Sequence, residues 1–486
     1  MVYSKSEIWV KKQYYFCSMA KKFIPERYED LEVVDINQKG KGVVKSDDGK
    51  VIFVSGVVPG DQICVETFKK RRGYFEAKLI EINRPSDDRA TPVCSHFGVC
   101  GGCKWQNLTY EAQLKFKQKE ITHNLTHMSG MALPEIEKII PASKNYFYRN
   151  KMEYSFSSQR WLTSDEIIDK TSEIEKRGLG FHKAGMWDKV VDIKECHLQP
   201  EPANKIRNFI KTFALKNNLE FFNPKTRSGF LRTLMIRNSN RDEFMVLLQF
   251  YKEDKTKREA LMEAILEKFD VKSLLYCINE KANDTLYDQE IFCYHGTNFI
   301  VEDMEGLKFK INAKSFFQTN TEQAYELYKI TREFAALKGS EVVYDLYTGT
   351  GTIAQFIAKD CKKVIGIESV PDAVHAAKIN AKENGIENAY FEVGDMRKVF
   401  NPEFVNQYGQ ADVVITDPPR NGMHPEVIQQ LLALSPRKIV YVSCNNATQA
   451  RDLNLMKEHY RMSRTKAIDM FPQTQHVENV VLLEKI

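Results

Sequence analysis

The 486-residue chain has no run near the eighteen or so consecutive apolar residues of a membrane-spanning helix, so a membrane protein of that kind is not expected. Residues 1–20 mix lysine, tyrosine and serine without the apolar stretch of a secretory signal, which argues for a cytoplasmic protein. Internal repeats and low-complexity tracts are missing, which sets aside solenoids and long repetitive tails. An excess of one charge is missing too. The net charge is only +5, a faint pull towards a polyanionic partner and no more. What remains is ordinary globular composition over a length that allows about three domains. Met19-Ala20-Lys21-Lys22 would itself serve as a start, and residues 1–26 are expected to form a flexible extension.

Ten cysteines without a secretory signal point to reduced thiols serving a metal or catalysis rather than disulfides. Three of them form Cys94-x5-Cys100-x2-Cys103, with glycines that let the backbone fold round a bound group. Cys196, in Lys194-Glu195-Cys196-His197, is the best fourth ligand. Four thiolates suit either zinc or an iron–sulfur cluster, and spacing does not choose between them. The spacing departs from the tighter C-x3-C-x2-C of radical enzymes that cleave S-adenosylmethionine, which counts against that chemistry.

Upstream of the cysteines, short β-rich runs at 33–36, 42–44, 51–54, 63–67 and 77–82 alternate with turns such as Asp47-Asp48-Gly49 and Pro59-Gly60-Asp61. This pattern predicts a small OB-like β-barrel over residues 27–85. Lys69-Lys70-Arg71-Arg72-Gly73-Tyr74 reads as a basic loop with an aromatic, suited to phosphates and stacked bases and equally to a solvated face. Residues 86–305 read as a central α+β domain, with a helix over 108–127 and a hairpin joining 231–237 to 244–250. Arg149, Lys151, Arg227, Arg232 and Arg237 could meet RNA or could lie on solvated strand faces.

From residue 306 strand and helix alternate, and Thr319-x-x-Glu322 reads as a capping box. A strand over 341–346 enters Tyr347-Thr348-Gly349-Thr350-Gly351-Thr352-Ile353-Ala354, a G-x-G-x-x-A loop between strand and helix. The next strand delivers Glu368, where a carboxylate can hold two ribose hydroxyls. A third ends on Gly394-Asp395, well placed for an adenine amino group. Nicotinamide and S-adenosylmethionine enzymes both fit such a loop, but Asp417-Pro418-Pro419-Arg420 after the fourth strand favours a methyltransferase. The fifth strand runs through Tyr441-Val442-Ser443 into Cys444, at the strand ends where open α/β sheets bind ligands. A free cysteine is most often a small buried hydrophobe, yet this setting asks for a nucleophile.

Taken together these stretches resemble the RNA uracil-C5 (5-methyluridine) methyltransferase family, specifically its 23S ribosomal RNA branch. The resemblance runs from residue 29 to the C-terminus. It rests on the barrel (similar to a TRAM domain), the four cysteines, Phe317-Gln318-Thr319-Asn320, the glycine loop, Asp417-Pro418-Pro419-Arg420, Ser443-Cys444-Asn445 and Thr474-Gln475-His476-Val477-Glu478. It implies an α/β fold whose Rossmann-like S-adenosylmethionine-dependent domain spans 306–486, and a [4Fe–4S] cluster on Cys94, Cys100, Cys103 and Cys196. It implies cofactor contacts at Gln318, Tyr347, Thr352, Glu368, Asp395 and Asp417, with Cys444 as nucleophile and Glu478 as base. The transfer RNA branch is taken to lack the barrel and the cysteines, so 23S rRNA is the expected partner, with no obligate protein partner and a monomeric chain.

The chemistry needs such a pair. Uracil C5 is too poor a nucleophile for a sulfonium methyl group, and a thiolate adding at C6 turns the ring into an enolate that can attack. A general base must then remove the C5 proton before the thiol can leave. With an ordinary pKa of about 8.5 a thiol is mostly protonated at neutral pH, so the site is expected to lower that value or offer a proton acceptor. Arg420, where amino-group methylases usually place an aromatic, disfavours amino-nitrogen methylation. Two alternatives stay open: cytosine-C5 methylation, and a non-catalytic iron–sulfur protein that binds RNA.

Overall fold

The structure is a computed structural model and describes residues 23–37, 39–168 and 174–486, so most of the expected N-terminal extension lies outside the described residues. The chain divides into two units, Met1–Arg89 and Ala90–Ile486. In the first, β1 (Arg27–Ile36), β2 (Gly42–Lys45), β3 (Val51–Val54), β4 (Gln62–Arg71) and β5 (Tyr74–Arg84) close into a barrel in the order β1-β2-β3-β5-β4. Alternate β-branched residues turn inward, and Val33, Val44, Ile52, Val54, Ile63 and Val65 fill the interior. The basic run is not a loop. Lys69, Lys70 and Arg71 form the last rungs of β4, opposite Glu76, Phe75 and Tyr74, and only Arg72-Gly73 makes the turn. Gly73, at φ 87°, supplies the left-handed turn residue, so strand pairing continues to the hairpin tip.

The second unit opens with the cysteine segment and the helix Tyr110–Met128, whose Ile121 and Leu125 are fully buried. β6 (Glu137–Ile140) follows. Then β7 (Lys151–Ser157), β8 (Gly178–His182), β9 (Val190–Asp192), β10 (Leu231–Asn238), β11 (Phe244–Phe250), β12 (Ser273–Ile278) and β13 (Phe292–Gly296) form a sheet in the order β13-β12-β11-β10-β7-β8-β9. The expected hairpin is β10–β11. Two arginines of β10 neither face solvent nor wait for RNA. Buried Arg232 donates to the carbonyls of Asn279 (2.6 Å) and Lys281 (2.7 Å), and buried Arg237 to those of Asn312 (3.1 Å) and Ser315 (3.0 Å). They satisfy orphan carbonyls that would otherwise be stranded in the core.

After the hairpin β14 (Phe299–Met304) and β15 (Leu307–Asn312) comes the second large sheet. β16 (Val342–Leu346), β17 (Lys363–Glu368), β18 (Ala389–Val393), β19 (Val413–Thr416), β20 (Lys438–Ser443), β21 (Tyr460–Ile468) and β22 (Glu478–Lys485) run in the order β18-β17-β16-β19-β20-β22-β21, with β6 added at the β21 edge. The strands from β18 to β20 are parallel, and β17, β16, β19 and β20 are nearly all buried because helices cover both faces, whereas the edge strand β18 buries only Phe391. β22 inserts antiparallel between β20 and β21. The α/β architecture is that expected from the sequence. One core cluster contains Met235, Met245 and Leu247 of the first large sheet together with Val343, Ile415 and Val442 of the second. The central and catalytic segments therefore share a hydrophobic core. Among the described residues no helix is long and apolar enough to cross a membrane.

Candidate active site

The parallel strands deliver polar groups to one edge. β16 ends on Asp345 and Leu346 and passes into Tyr347, which takes a left-handed φ of 61°. Gly349 (φ 56°) and Gly351 (φ 74°) continue the turn into the helix Thr352–Ile357. Gly351 is required on space as well, since a Cβ there would stand 2.6 Å from Phe391 Cε1. Above Gly349 the opposite holds: beyond its chain neighbours, nothing lies within 4 Å of where its Cβ would be. The loop thus presents open backbone, the kind of cradle a nucleotide approaches closely.

Glu368, at the end of β17, accepts the Gly349 N–H on Oε2 (3.2 Å) and the Ser369 and Val370 N–H groups on Oε1 (2.7 and 3.0 Å). Asp395 accepts from Arg397 Nε on both oxygens (3.0 and 3.1 Å), and this arginine holds its carboxyl down at about 2. Thr352 Oγ1 lies 3.1 Å from the Tyr328 hydroxyl. Gln318 uses its carbonyl to accept Asn150 Nδ2 (3.0 Å) at the entry to the helix Thr321–Ala335. That helix is capped by Asn320, whose side chain accepts the Gln323 N–H, rather than by the expected box from Thr319 to Glu322. Glu322 instead reaches Ser143 and Lys144, because the loop between β6 and β7 offers it a hydroxyl and a cation.

Asp345 escaped the sequence reading of the site, though an acid in an apolar strand is a signal. It is buried, accepts the Thr348 hydroxyl at 2.5 Å, and is pushed up to about 7 by burial despite that bond.

Cys444 follows β20 and precedes the helix Asn446–Met456. The Asn445 side chain caps that helix at the Ala447 N–H (3.2 Å), while its Nδ2 donates to the Arg420 carbonyl (2.9 Å). Thr448 Oγ1 donates to the same carbonyl at 3.2 Å, so the Asp-Pro-Pro-Arg loop is tied to the cysteine turn. Across the sheet Ser443 pairs with Asn479, and continuing that register brings Cys444 level with Glu478. Burial, then the Glu478 and Asp417 carboxylates, push the Cys444 thiol up to about 11, against the pull of Arg420. Burial and Asp417 push Glu478 up to about 8, and burial pushes Asp417 up to about 7. A lowered thiol value, one of the two expected routes to the thiolate, is not what the site provides. Burial and the two acids together outweigh the pull of Arg420.

Cys94, Cys100, Cys103 and Cys196 line a single cleft of about 1010 Å³, which also reaches Arg149, Arg420, Thr474 and His476. Burial raises the thiols of Cys100, Cys103 and Cys196, that of Cys103 to about 12. Among the described residues no three His, Cys, Asp or Glu side chains are gathered as a single metal ion would require. His476 is held down at about 4 by burial and by Arg420, so it is neutral at physiological pH.

The sequence model of the tRNA (uracil-5-)-methyltransferase family matches residues 241–486. An uncharacterized RNA methyltransferase of Porphyromonas gingivalis is 49% identical over 461 residues, covering 93% of this chain and 99% of its own. One from Chlorobaculum tepidum is 38% identical over 469 residues, covering 94% and 96%. Among solved structures, the Pyrococcus abyssi tRNA (uracil-54, C5)-methyltransferase in complex with S-adenosyl-L-homocysteine is 30% identical with a TM-score of 0.74, covering 94% of this chain and 100% of that one. The part of this chain left unmatched is shorter than the barrel, so the barrel does not by itself separate ribosomal from transfer RNA enzymes. The chain belongs to the tRNA (uracil-5-)-methyltransferase family of RNA uracil-C5 methyltransferases, enzymes that take their methyl group from S-adenosylmethionine.

Proposed function

We propose that the chain methylates C5 of a specific uridine in 23S rRNA through a covalent adduct between Cys444 and C6. The observation that carries this reading is the placing of Cys444 level with Glu478, beside Asp417, at the carboxyl edge of the parallel strands. Gln318, Tyr347, Thr352, Glu368, Asp395 and Asp417 would hold S-adenosylmethionine over the open glycine loop. When bound, it supplies an electrophilic methyl group and a positive charge. That charge and Arg420 both favour the ionised forms of Cys444 and Glu478.

The thiolate of Cys444 adds to C6, and C5 of the resulting enolate takes the methyl group as the sulfonium becomes a thioether. Glu478 then removes the C5 proton, the C5–C6 double bond re-forms, and Cys444 leaves with the bonding pair. The uridine must come out of any stack, a cost of a few kcal/mol that contacts along the cleft by Arg149 and Arg420 can offset.

On the cysteines a [4Fe–4S] cluster is the group the family resemblance implies, and the four thiols line one cleft, as its ligands must. Its ligands would be Cys94, Cys100, Cys103 and Cys196, and it would tie the cysteine loop to the β9 end of the first large sheet. A second reading, a transfer RNA uridine as target, is favoured by the length-wide match to the P. abyssi enzyme. Mapping 5-methyluridine by mass spectrometry in 23S rRNA and tRNA, with and without the protein, decides between them. Loss of the mark from 23S rRNA alone supports the first reading, and loss from tRNA alone replaces it with the second.

A further inference from the structure

Residues 469–477 connect β21 to β22 and end on Glu478, and their polar groups are bonded to a distant part of the chain. Gln113, fully buried in the first turn of the helix Tyr110–Met128, stands at the centre. Its Oε1 accepts the Gln473 N–H at 2.9 Å, and its Nε2 lies 3.1 Å from Gln473 Oε1. The same Nε2 lies 3.0 Å from the carbonyls of Trp105 and Leu108. In return the Gln473 carbonyl accepts the N–H groups of Lys104 (2.9 Å) and Trp105 (3.0 Å), next to Cys103. One turn along the helix, Lys117 donates to Asp469 Oδ1 at 2.6 Å and to the Phe471 carbonyl at 3.2 Å, and neither side chain of this ion pair touches solvent. The Tyr148 hydroxyl donates to the Pro472 carbonyl at 3.0 Å.

Gln473 itself holds φ at 69°, a left-handed conformation that a residue with a side chain keeps only when its surroundings enforce it. Joining two antiparallel strands needs no such set of anchors. A general base does need them, because it must stand within hydrogen-bond reach of the proton it takes, and a shift of about 1 Å can cost on the order of 100-fold in rate.

We propose that Gln113 is a positioning residue for proton removal, clamping Gln473 so that Glu478 stands against C5 of the target base. The proposal rests on the reading of Glu478 as the base. Gln113→Leu keeps the volume and removes every bond made by the Gln113 side chain, while those of Lys117 and Tyr148 remain. Gln473→Asn shortens one partner, and Asn tolerates the left-handed φ while the main-chain bonds remain.

The test uses the full-length protein, radiolabelled S-adenosylmethionine, and RNA from cells lacking the enzyme. For Gln113→Leu, kcat should fall roughly 10- to 100-fold while KM for RNA and cofactor affinity stay within about twofold. A methyl-labelled enzyme–RNA adduct should build up on denaturing gels, and Gln473→Asn should show the same pattern more weakly. Native kcat with no adduct in Gln113→Leu overturns the proposal. So does a fall in kcat matched by lost cofactor binding and no adduct, which would make the clamp purely structural. If Gln113→Leu does not fold, Gln473→Asn decides alone by the same readouts. Glu478→Gln is run alongside. Its failure to stall would unseat Glu478 as base, whereas a stalled Glu478→Gln beside normal Gln113 and Gln473 variants would unseat only the clamp.

Discussion

Cys444 stands level with Glu478, one rung past the pairing of Ser443 with Asn479 between β20 and the antiparallel β22. The proposed nucleophile directly follows a parallel strand, and the proposed base begins the antiparallel one beside it. Under the proposed mechanism the two groups would act in turn on adjacent ring carbons, and their spacing is set by the pairing of β20 with β22.

This arrangement separates the two roles experimentally. Cys444→Ala should neither methylate RNA nor hold it covalently, because no C6 bond can form. Glu478→Gln should add and methylate but fail to lose the C5 proton, leaving a labelled adduct that survives denaturing electrophoresis. An unlabelled adduct, or normal turnover, would move the base to another residue.

Burial makes Glu478 a pH-dependent element of stability. Its value in the folded chain, about 8, lies above its ordinary 4.5, so between these values the folded chain holds a proton that the unfolded chain has lost. The stability so contributed is full below pH 4.5 and disappears as pH rises through about 8. Gln cannot ionise. Glu478→Gln should therefore exceed the native protein in stability near pH 9, by roughly 2–4 kcal/mol, with the gap closing as pH falls to about 5. Denaturant titrations at several pH values check this, and a gap independent of pH would place an ionised Glu478 in the native fold.

Glu368 receives the Gly349 N–H, and its carboxylate is the proposed acceptor for the ribose hydroxyls. Glu368→Ala should weaken S-adenosylmethionine binding by about 1–3 kcal/mol, since the ribose hydroxyls lose their acceptor. RNA affinity should change little. Calorimetry showing native cofactor affinity would place the ribose elsewhere.

If the cleft holds a [4Fe–4S] cluster, protein purified without oxygen should contain iron and sulfide. Cys196→Ala should lose them as fully as Cys103→Ala does. Zinc in place of iron, or full iron in the Cys196 variant, would contradict the ligand assignment.

Much of the catalytic sheet is legible locally. Tyr347, Glu368, Asp417 and Cys444 each follow a short β-branched run that two covered faces require, and the glycine loop announces its own conformation. The basic run at Lys69 misleads as a loop because charge says nothing about pairing, and the register of β4 with β5 carries it to the hairpin tip. Arg232 and Arg237 mislead for a similar reason. An arginine looks solvent-bound in a sequence until the fold places carbonyls in need of a donor around it.

The sequence by itself determined the α/β class, the family and the residue types that could do the chemistry, because hydrophobic periodicity and turn chemistry act over a few residues. Tertiary structure alone decided how those residues feel one another. It buried Cys444 beside two carboxyl groups, which together raise its thiol, and it bonded Gln113 to Gln473 across 360 residues of chain. Neither fact has a local signature. Burial and long-range contact are properties of the folded whole, and they govern both the proton affinities and the placing of the base.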